Sequence, residues 1–125
     1  MPDFEKINPG TPVAGPYSPG MKAGNTIYIS GQVSPHPEAN IRDQTSTALN
    51  NIKKIVEAAG GKISNIVNTT VFLTNIDEFG EMNNAYKDFF NENGISDNYP
   101  SRATVEVSKL PRPTMLIEIS AIAVV

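Results

Sequence analysis

An α+β fold, one sheet carrying two helices on a single face, is what this sequence predicts. Three observations lead there. Apolar residues recur with a 3.6-residue period in two stretches, near residues 41–59 and 77–93. Alternating or β-branched segments precede, separate and follow those stretches. The resulting order is strand, helix, strand, helix, strand, strand, in a chain whose 125 residues suit a single domain over 1–125.

Pro2, Pro9, Gly10, Pro12, Gly15, Pro16, Pro19 and Gly20 punctuate the first 20 residues, which predicts a rigid, irregular lead-in. Thr26–Ser30 alternates and is β-rich, so it reads as a strand. Gly31 is expected to end it and to leave room for another group against the backbone. Residues 33–40 form a polar, proline-bearing loop. From Ile41 to Ala59, Ile41, Thr45, Ala48, Leu49, Ile52, Ile55, Val56 and Ala59 make one helical face, and Gly60-Gly61 supplies the stop. Ile66–Thr74 is rich in β-branched residues and predicts a buried strand. The second helix runs from about Asp77 to Asn93, capped by Asn75 or Asp77, with Phe79, Met82, Tyr86, Phe89 and Phe90 inward and Gly94 closing it. Two strands follow, Arg102–Ser108 and Thr114–Val124, split by Leu110-Pro111-Arg112-Pro113.

Composition narrows the chemistry. The chain has no cysteine, no tryptophan and one histidine, His36. Disulfides, thiol nucleophiles, sulfur-ligated zinc and iron–sulfur clusters are thereby excluded. His36 lies between Pro35 and Pro37, a poor setting for a catalytic triad, and reads as an exposed loop residue. With 39% apolar and 18% charged residues the chain can build a core. Ten basic against 13 acidic side chains give a net charge of −3, and Lys53-Lys54 is the only adjacent basic pair, so nucleic acid is disfavoured as a partner. No run approaches the roughly 20 apolar residues of a membrane span. Met1-Pro2-Asp3-Phe4-Glu5 has no basic region leading into an apolar one, so the expected location is the cytosol, with the mitochondrial matrix left open. Asn68-Thr69-Thr70 matches a glycosylation sequon but falls inside a predicted strand, and is read as chance.

What remains for chemistry is carboxylates, arginine, hydroxyls and backbone amides. On the last strand Met115, Ile117, Ile119, Ala121 and Ala123 point one way, while Glu118 is the only charge in an apolar run. A carboxylate there is expensive unless paired, hydrogen-bonded or protonated; the alternative is a strand edge where it reaches solvent. Arg102 opens the preceding strand and shares a face with Thr104. If these two strands pair, Arg102 and Glu118 come to one region of the sheet, either as a structural ion pair or with the arginine fork free for a ligand carboxylate. Gly15-Pro16-Tyr17-Ser18 presents a tyrosine from a stiff loop, which serves packing as readily as binding. There is no phosphate loop, no Gly-x-Gly-x-x-Gly and no helix with ligand-spaced histidines.

Several pieces together resemble one family. They are Gly15-Pro16-Tyr17-Ser18, Ser30-Gly31-Gln32, Asn83-x-x-Tyr86-x-x-Phe89-Phe90, the block from Pro100 to Leu110, and Ile117-Glu118-Ile119. Over essentially the whole length the chain is similar to the reactive-intermediate deaminase family, also called the YjgF/YER057c/UK114 family and labelled endoribonuclease L-PSP. The resemblance implies a chorismate-mutase-like protomer, a mixed sheet with two helices on one face, three of which pack into a trimeric barrel with a cleft at each interface. It implies that Arg102 holds the carboxylate of a small 2-imino or 2-enamino acid and that Glu118 positions a water. Tyr17 would line the cleft, the backbone at Ser30 and Gly31 would face the ligand, and Asn83 and Thr104 would be cleft residues. The implied reaction is hydrolysis of imines such as 2-aminoacrylate or 2-aminocrotonate to a 2-keto acid and ammonia, with no metal or cofactor. A protonated imine is already electrophilic, so no covalent nucleophile is needed; orientation and a base suffice.

Two departures stand out. Many members carry cysteine where this chain has Thr104, so a thiol has no part here. The 94–99 loop is longer than usual and the 33–41 loop shorter, which would reshape the cleft entrance. Two other functions stand beside the deaminase: an endoribonuclease or translation inhibitor, opposed by the acidic balance and the lack of a histidine pair, and a non-catalytic module binding a carboxylate metabolite.

Overall fold

The computed structural model describes residues 3–125. Six strands and two helices follow in the order β1 (Phe4–Ile7), β2 (Gly20–Ala23), β3 (Thr26–Gln32), α1 (Ile41–Ala58), β4 (Ile66–Leu73), α2 (Phe79–Glu92), β5 (Ser101–Glu106) and β6 (Ile117–Val124). They build one mixed sheet, β1-β2-β3-β6-β4-β5, in which only the β4–β5 pair is parallel. That pair is a strand–helix–strand unit, β4–α2–β5, whose crossover helix is needed to return the chain parallel. Both helices lie on the same face: α1 rests on β3 and β6, and α2 packs beside α1.

The expected α+β layering is therefore present, with three changes of detail. The lead-in contains two strands, β1 and β2. Each has four residues and little apolar pattern, because a short edge hairpin draws its stability from ladder bonds to its neighbours. Gly31 lies within β3, at a bulge, where the register to β6 shifts between Ile29 and Gln32. The second helix begins at Phe79, after a short 3₁₀ turn (Ile76–Glu78) that Asn75 caps by accepting the Asp77 N–H at 3.0 Å. Asn40 caps α1 in the same way, accepting from Asp43 N–H at 2.9 Å. Gly60 and Gly94 stop the helices in the left-handed region, at φ +86° and +82°, a conformation that disfavours side chains.

The core lies between sheet and helices. Ile27, Val71, Leu73, Ile117 and Ile119 face Leu49, Ile52, Val56, Met82 and Phe90 across it, all fully buried. Each such side chain contributes about 1.5–3 kcal/mol of burial. Gln44 is buried too, and its amide is satisfied: it donates to the carbonyls of Ala39 and Thr114 at 3.0 Å each and accepts from Leu116 N–H at 2.9 Å. It ties the segment entering β6 to the first turn of α1. The other sheet face has no covering element. Met21, Tyr28, Val105 and Val124 are exposed on it, with Phe72 and Ile122 half-buried between them.

Candidate functional site

The structure gathers the residues singled out above into two groups, on opposite faces of the sheet.

The first group surrounds Arg102. Its register partner on β4 is Thr69, which is buried beneath α2, so the arginine leaves β5 on the helix side. Nη2 donates to Asn83 Oδ1 at 2.7 Å, and Nη1 lies 4.0 Å from Met82 Sδ. Cζ stands 4.8 Å from the centre of the Tyr86 ring and 5.7 Å from that of Phe79. Positions 79, 82, 83 and 86 form one stripe of α2, the i, i+3, i+4, i+7 set that a single ligand-sized group can touch at once. None of the four is charged. Among the described residues the ion pairs are those of Arg42, with Glu81 at 3.5 Å and Asp88 at 3.1 Å. The half-buried guanidinium thus has no carboxylate partner among the described residues, and Asn83 accepts from only one of its five N–H donors. Beside it opens a cleft of about 540 Å³ lined by Asn83, Tyr86, Lys87, Ser96, Tyr99, Pro100 and Arg102. Ser96 and Tyr99 belong to the loop expected to shape the entrance, and Tyr99 is anchored by donating to Asn91 Oδ1 at 2.9 Å. Thr104 follows two residues along β5, half-buried, on the same side as Arg102.

The second group is on the uncovered face. At the β3 bulge Ser30 and Gly31 together span the step from Ala121 to Ile119 on β6. A Cβ built on Gly31 would lie 2.6 Å from Cδ and 2.9 Å from Cγ of Glu118, so the carboxylate rests directly on the glycine backbone. Partial burial lifts the Glu118 carboxyl above its usual 4.5. The proline-rich loop between β1 and β2 is tied to the same place. Ser30 N–H donates to the Pro19 carbonyl at 2.9 Å, and Ser30 Oγ donates to the Ser18 carbonyl at 2.7 Å. Tyr17 precedes that tether, its N–H donating to the Gly15 carbonyl at 2.9 Å, and its side chain stands 48% exposed.

The condition that β5 and β6 pair, on which Arg102 and Glu118 would share one region of the sheet, is not met. β4 lies between them, because the crossover through α2 places β5 beside β4 and leaves β6 to fill the middle of the sheet. Arg102 and Glu118 are then two strands apart and on opposite faces, and no ion pair joins them. Glu118 is not at a sheet edge either: β6 is central, and the side chain is half-buried, with no ion-pair partner among the described residues. His36 is exposed in the loop before α1, at a separate concavity. Among the described residues no group of three His, Cys, Asp or Glu side chains is placed to hold a metal ion, and no helix is long and apolar enough to cross a membrane.

Sequence reasoning missed the setting of Arg102. Spacing alone predicts Phe79, Met82 and Tyr86 as core; in the structure Met82 and Tyr86 are buried, Phe79 is exposed, and all three border the arginine. The available signal was Asn83, a polar residue within the apolar stripe. Thr69, whose Oγ1 lies 2.8 Å from the Tyr86 hydroxyl in the buried layer, was also missed.

A six-stranded mixed sheet with two helices on one face, an arginine without a carboxylate partner at one edge and a glutamate on the other face define a small α+β protein with two separate groups of polar residues. The chain belongs to the family described as Endoribonuclease L-PSP, whose match covers residues 9–125. It is 43% identical to a RutC family protein of Pyrococcus horikoshii over 115 residues, 87% of this chain and 86% of that protein. It is also 43% identical to the 2-iminobutanoate/2-iminopropanoate deaminase of Escherichia coli K12 over 115 residues, 88% of each. The crystal structure of E. coli TdcF with bound serine superposes with a TM-score of 0.88 at 36% identity, covering 97% of this chain and 98% of that one.

Proposed function

We propose that this chain is a hydrolytic deaminase of small 2-imino and 2-enamino acids, working as a homotrimer in which each site lies between two copies. The observation that carries the reading is Arg102: a half-buried guanidinium, fixed by uncharged groups alone, opening onto a cleft. Such a fork is suited to a single carboxylate, which it binds in two parallel hydrogen bonds.

Glu118 would supply the second half. Its carboxyl, raised by burial, can both take and return a proton nearer neutrality than an ordinary carboxylate can. With the substrate carboxylate on Arg102, a water held by Glu118 adds to the imine carbon and gives its proton to the carboxylate. Glu118 returns that proton to the nitrogen of the resulting carbinolamine; the C–N bond then breaks as the hydroxyl proton passes back to the carboxylate, so that ammonia leaves and a 2-keto acid remains. Asn83 and Thr104 would border the bound acid, with Tyr17 and the Ser30-Gly31 backbone opposite. Because Arg102 and Glu118 lie on opposite faces in one protomer, this reaction needs the second group of another copy beside the first group of this one. The exposed apolar residues of the uncovered face give such a contact its driving force. The named activity of the E. coli relative supports the same reaction class.

The test is keto-acid formation from 2-aminoacrylate released by a pyridoxal-phosphate dehydratase. Wild type should speed it beyond the spontaneous rate, and Arg102→Ala should abolish the gain while leaving the melting curve in place. No gain with wild type refutes the proposal. Sedimentation should give three copies per particle, and a monomer with full activity would refute the shared site.

A further inference from the structure

Arg102 leaves an edge strand, where neighbours exist on one side only. A guanidinium there has four stem bonds to rotate about, and a bidentate carboxylate clamp loses affinity unless that freedom is already removed. Asn83 fixes one nitrogen. The plane of the group is set by what lies against it, and the nearest ring is Tyr86.

Tyr86 is unusual for a core tyrosine. Its ring has two neighbours of different kinds, the Arg102 guanidinium at 4.8 Å and Phe90, with ring centres 4.8 Å apart. Its hydroxyl ends in the buried layer, 2.8 Å from Thr69 Oγ1. Thr69 is fully buried and is itself the cross-strand partner of Arg102, so strand, hydroxyl pin and ring close a small circuit back to the arginine. A ring pinned at its para position cannot rock away from the cation above it, and a ring face uses none of the N–H donors a substrate needs. Burial raises the Tyr86 phenol, against the opposing pulls of Thr69 and Arg102, so the ring stays neutral beneath the cation.

We propose that Tyr86, pinned by Thr69, is a positioning residue that presents the Arg102 fork in its carboxylate-binding plane. The proposal rests on the role given to Arg102 above. The ring carries the effect and the Thr69 hydroxyl holds the ring.

The test reads the arginine itself and then its ligand. NMR relaxation of the Arg102 Nε–H bond reports its order without any substrate. Calorimetry with 2-oxobutyrate, the stable keto acid, reports the clamp. Wild type should be as ordered at Nε as the rigid backbone. Tyr86→Phe keeps the ring and should retain most of the order. Tyr86→Leu should free the guanidinium and weaken 2-oxobutyrate by about 3- to 30-fold, the range for loss of a partly desolvated cation–ring contact. Thr69→Val, which keeps the volume, should weaken it less and in the same direction, so the pin stays measurable even if Tyr86→Leu does not fold. In turnover these losses should fall on KM while kcat holds. Equal order and affinity in Tyr86→Phe and Tyr86→Leu, or an Arg102 Nε mobile in wild type, would overturn the proposal. Unchanged order and affinity in Thr69→Val would overturn the pin. An ordered Arg102 in a wild type that does not bind 2-oxobutyrate would instead count against the carboxylate role, leaving the positioning intact.

Discussion

Gly31→Ala isolates the contribution of Glu118 with one methyl group. Gly31 is not among the glycines with positive φ, so alanine fits its backbone, and the effect comes from space alone. The new Cβ would start 2.6 Å from Glu118 Cδ and 2.9 Å from Cγ, whereas carbon atoms rest at roughly 3.5–4.0 Å. The flexible end of the glutamate yields before two paired strands do, so the carboxylate moves by about 1 Å. Turning it off its preferred rotamer costs about 1 kcal/mol, or a few degrees in Tm. The catalytic cost is larger, because a misplacement of about 1 Å can lower a rate on the order of 10²-fold. The assay is dehydratase-coupled turnover beside thermal melting, repeated in a Glu118→Gln background, where the alanine should have nothing further to remove. A Gly31→Ala protein with unchanged kcat, or one whose deficit persists in full when Glu118 is glutamine, would refute this account of the glutamate.

Three further outcomes follow from the same geometry. Arg102→Lys keeps the charge and loses the fork; one charge-assisted hydrogen bond is worth about 1.5–3 kcal/mol, so kcat/KM should fall by about 10- to 100-fold with little change in Tm, as steady-state kinetics and melting will show. Glu118 has a folded pKa raised above its usual 4.5, so its share of stability is present below about pH 4.5 and is lost as pH rises through the folded value. Glu118→Gln should therefore match wild type in melts near pH 4 and be increasingly more stable toward neutrality. Gln44→Ala strips partners from two carbonyls and one N–H that are only part-buried and should lower stability by about 1–3 kcal/mol in denaturant titration, with activity surviving where the protein stays folded.

Much of the architecture was legible because it is periodic. The face of α1 from Ile41 to Val56 and the alternation of Ile117, Ile119, Ala121 and Ala123 are patterns that burial on one side writes directly into a chain. β1 and β2 were not legible. Phe4-Glu5-Lys6-Ile7 and Gly20-Met21-Lys22-Ala23 carry almost no alternation, since an edge hairpin exposed on one side is specified by its hydrogen bonds more than by its side chains. Glu118 stood out in the sequence as a charge inside an apolar strand, and its placement over Gly31 agrees with the room that glycine was expected to leave. Tyr86 gave no such sign: a tyrosine at a core position of a helix looks the same whether it packs against leucine or under a guanidinium.

By itself the sequence determined the chemistry available and the elements that would carry it. The absence of cysteine, the single proline-flanked histidine and the net charge of −3 are properties of composition, and no fold can alter them. Which residues meet was decided only by the tertiary structure. Strand order is a long-range choice, and placing β4 between β5 and β6 sends Arg102 and Glu118 to opposite faces, because side chains alternate about a sheet and register assigns each to one side. Arg102 and Glu118, near one another along the chain, thus lie in separate groups on opposite faces, and the arginine found its support in Asn83, Tyr86 and Thr69, distant in sequence and adjacent through packing.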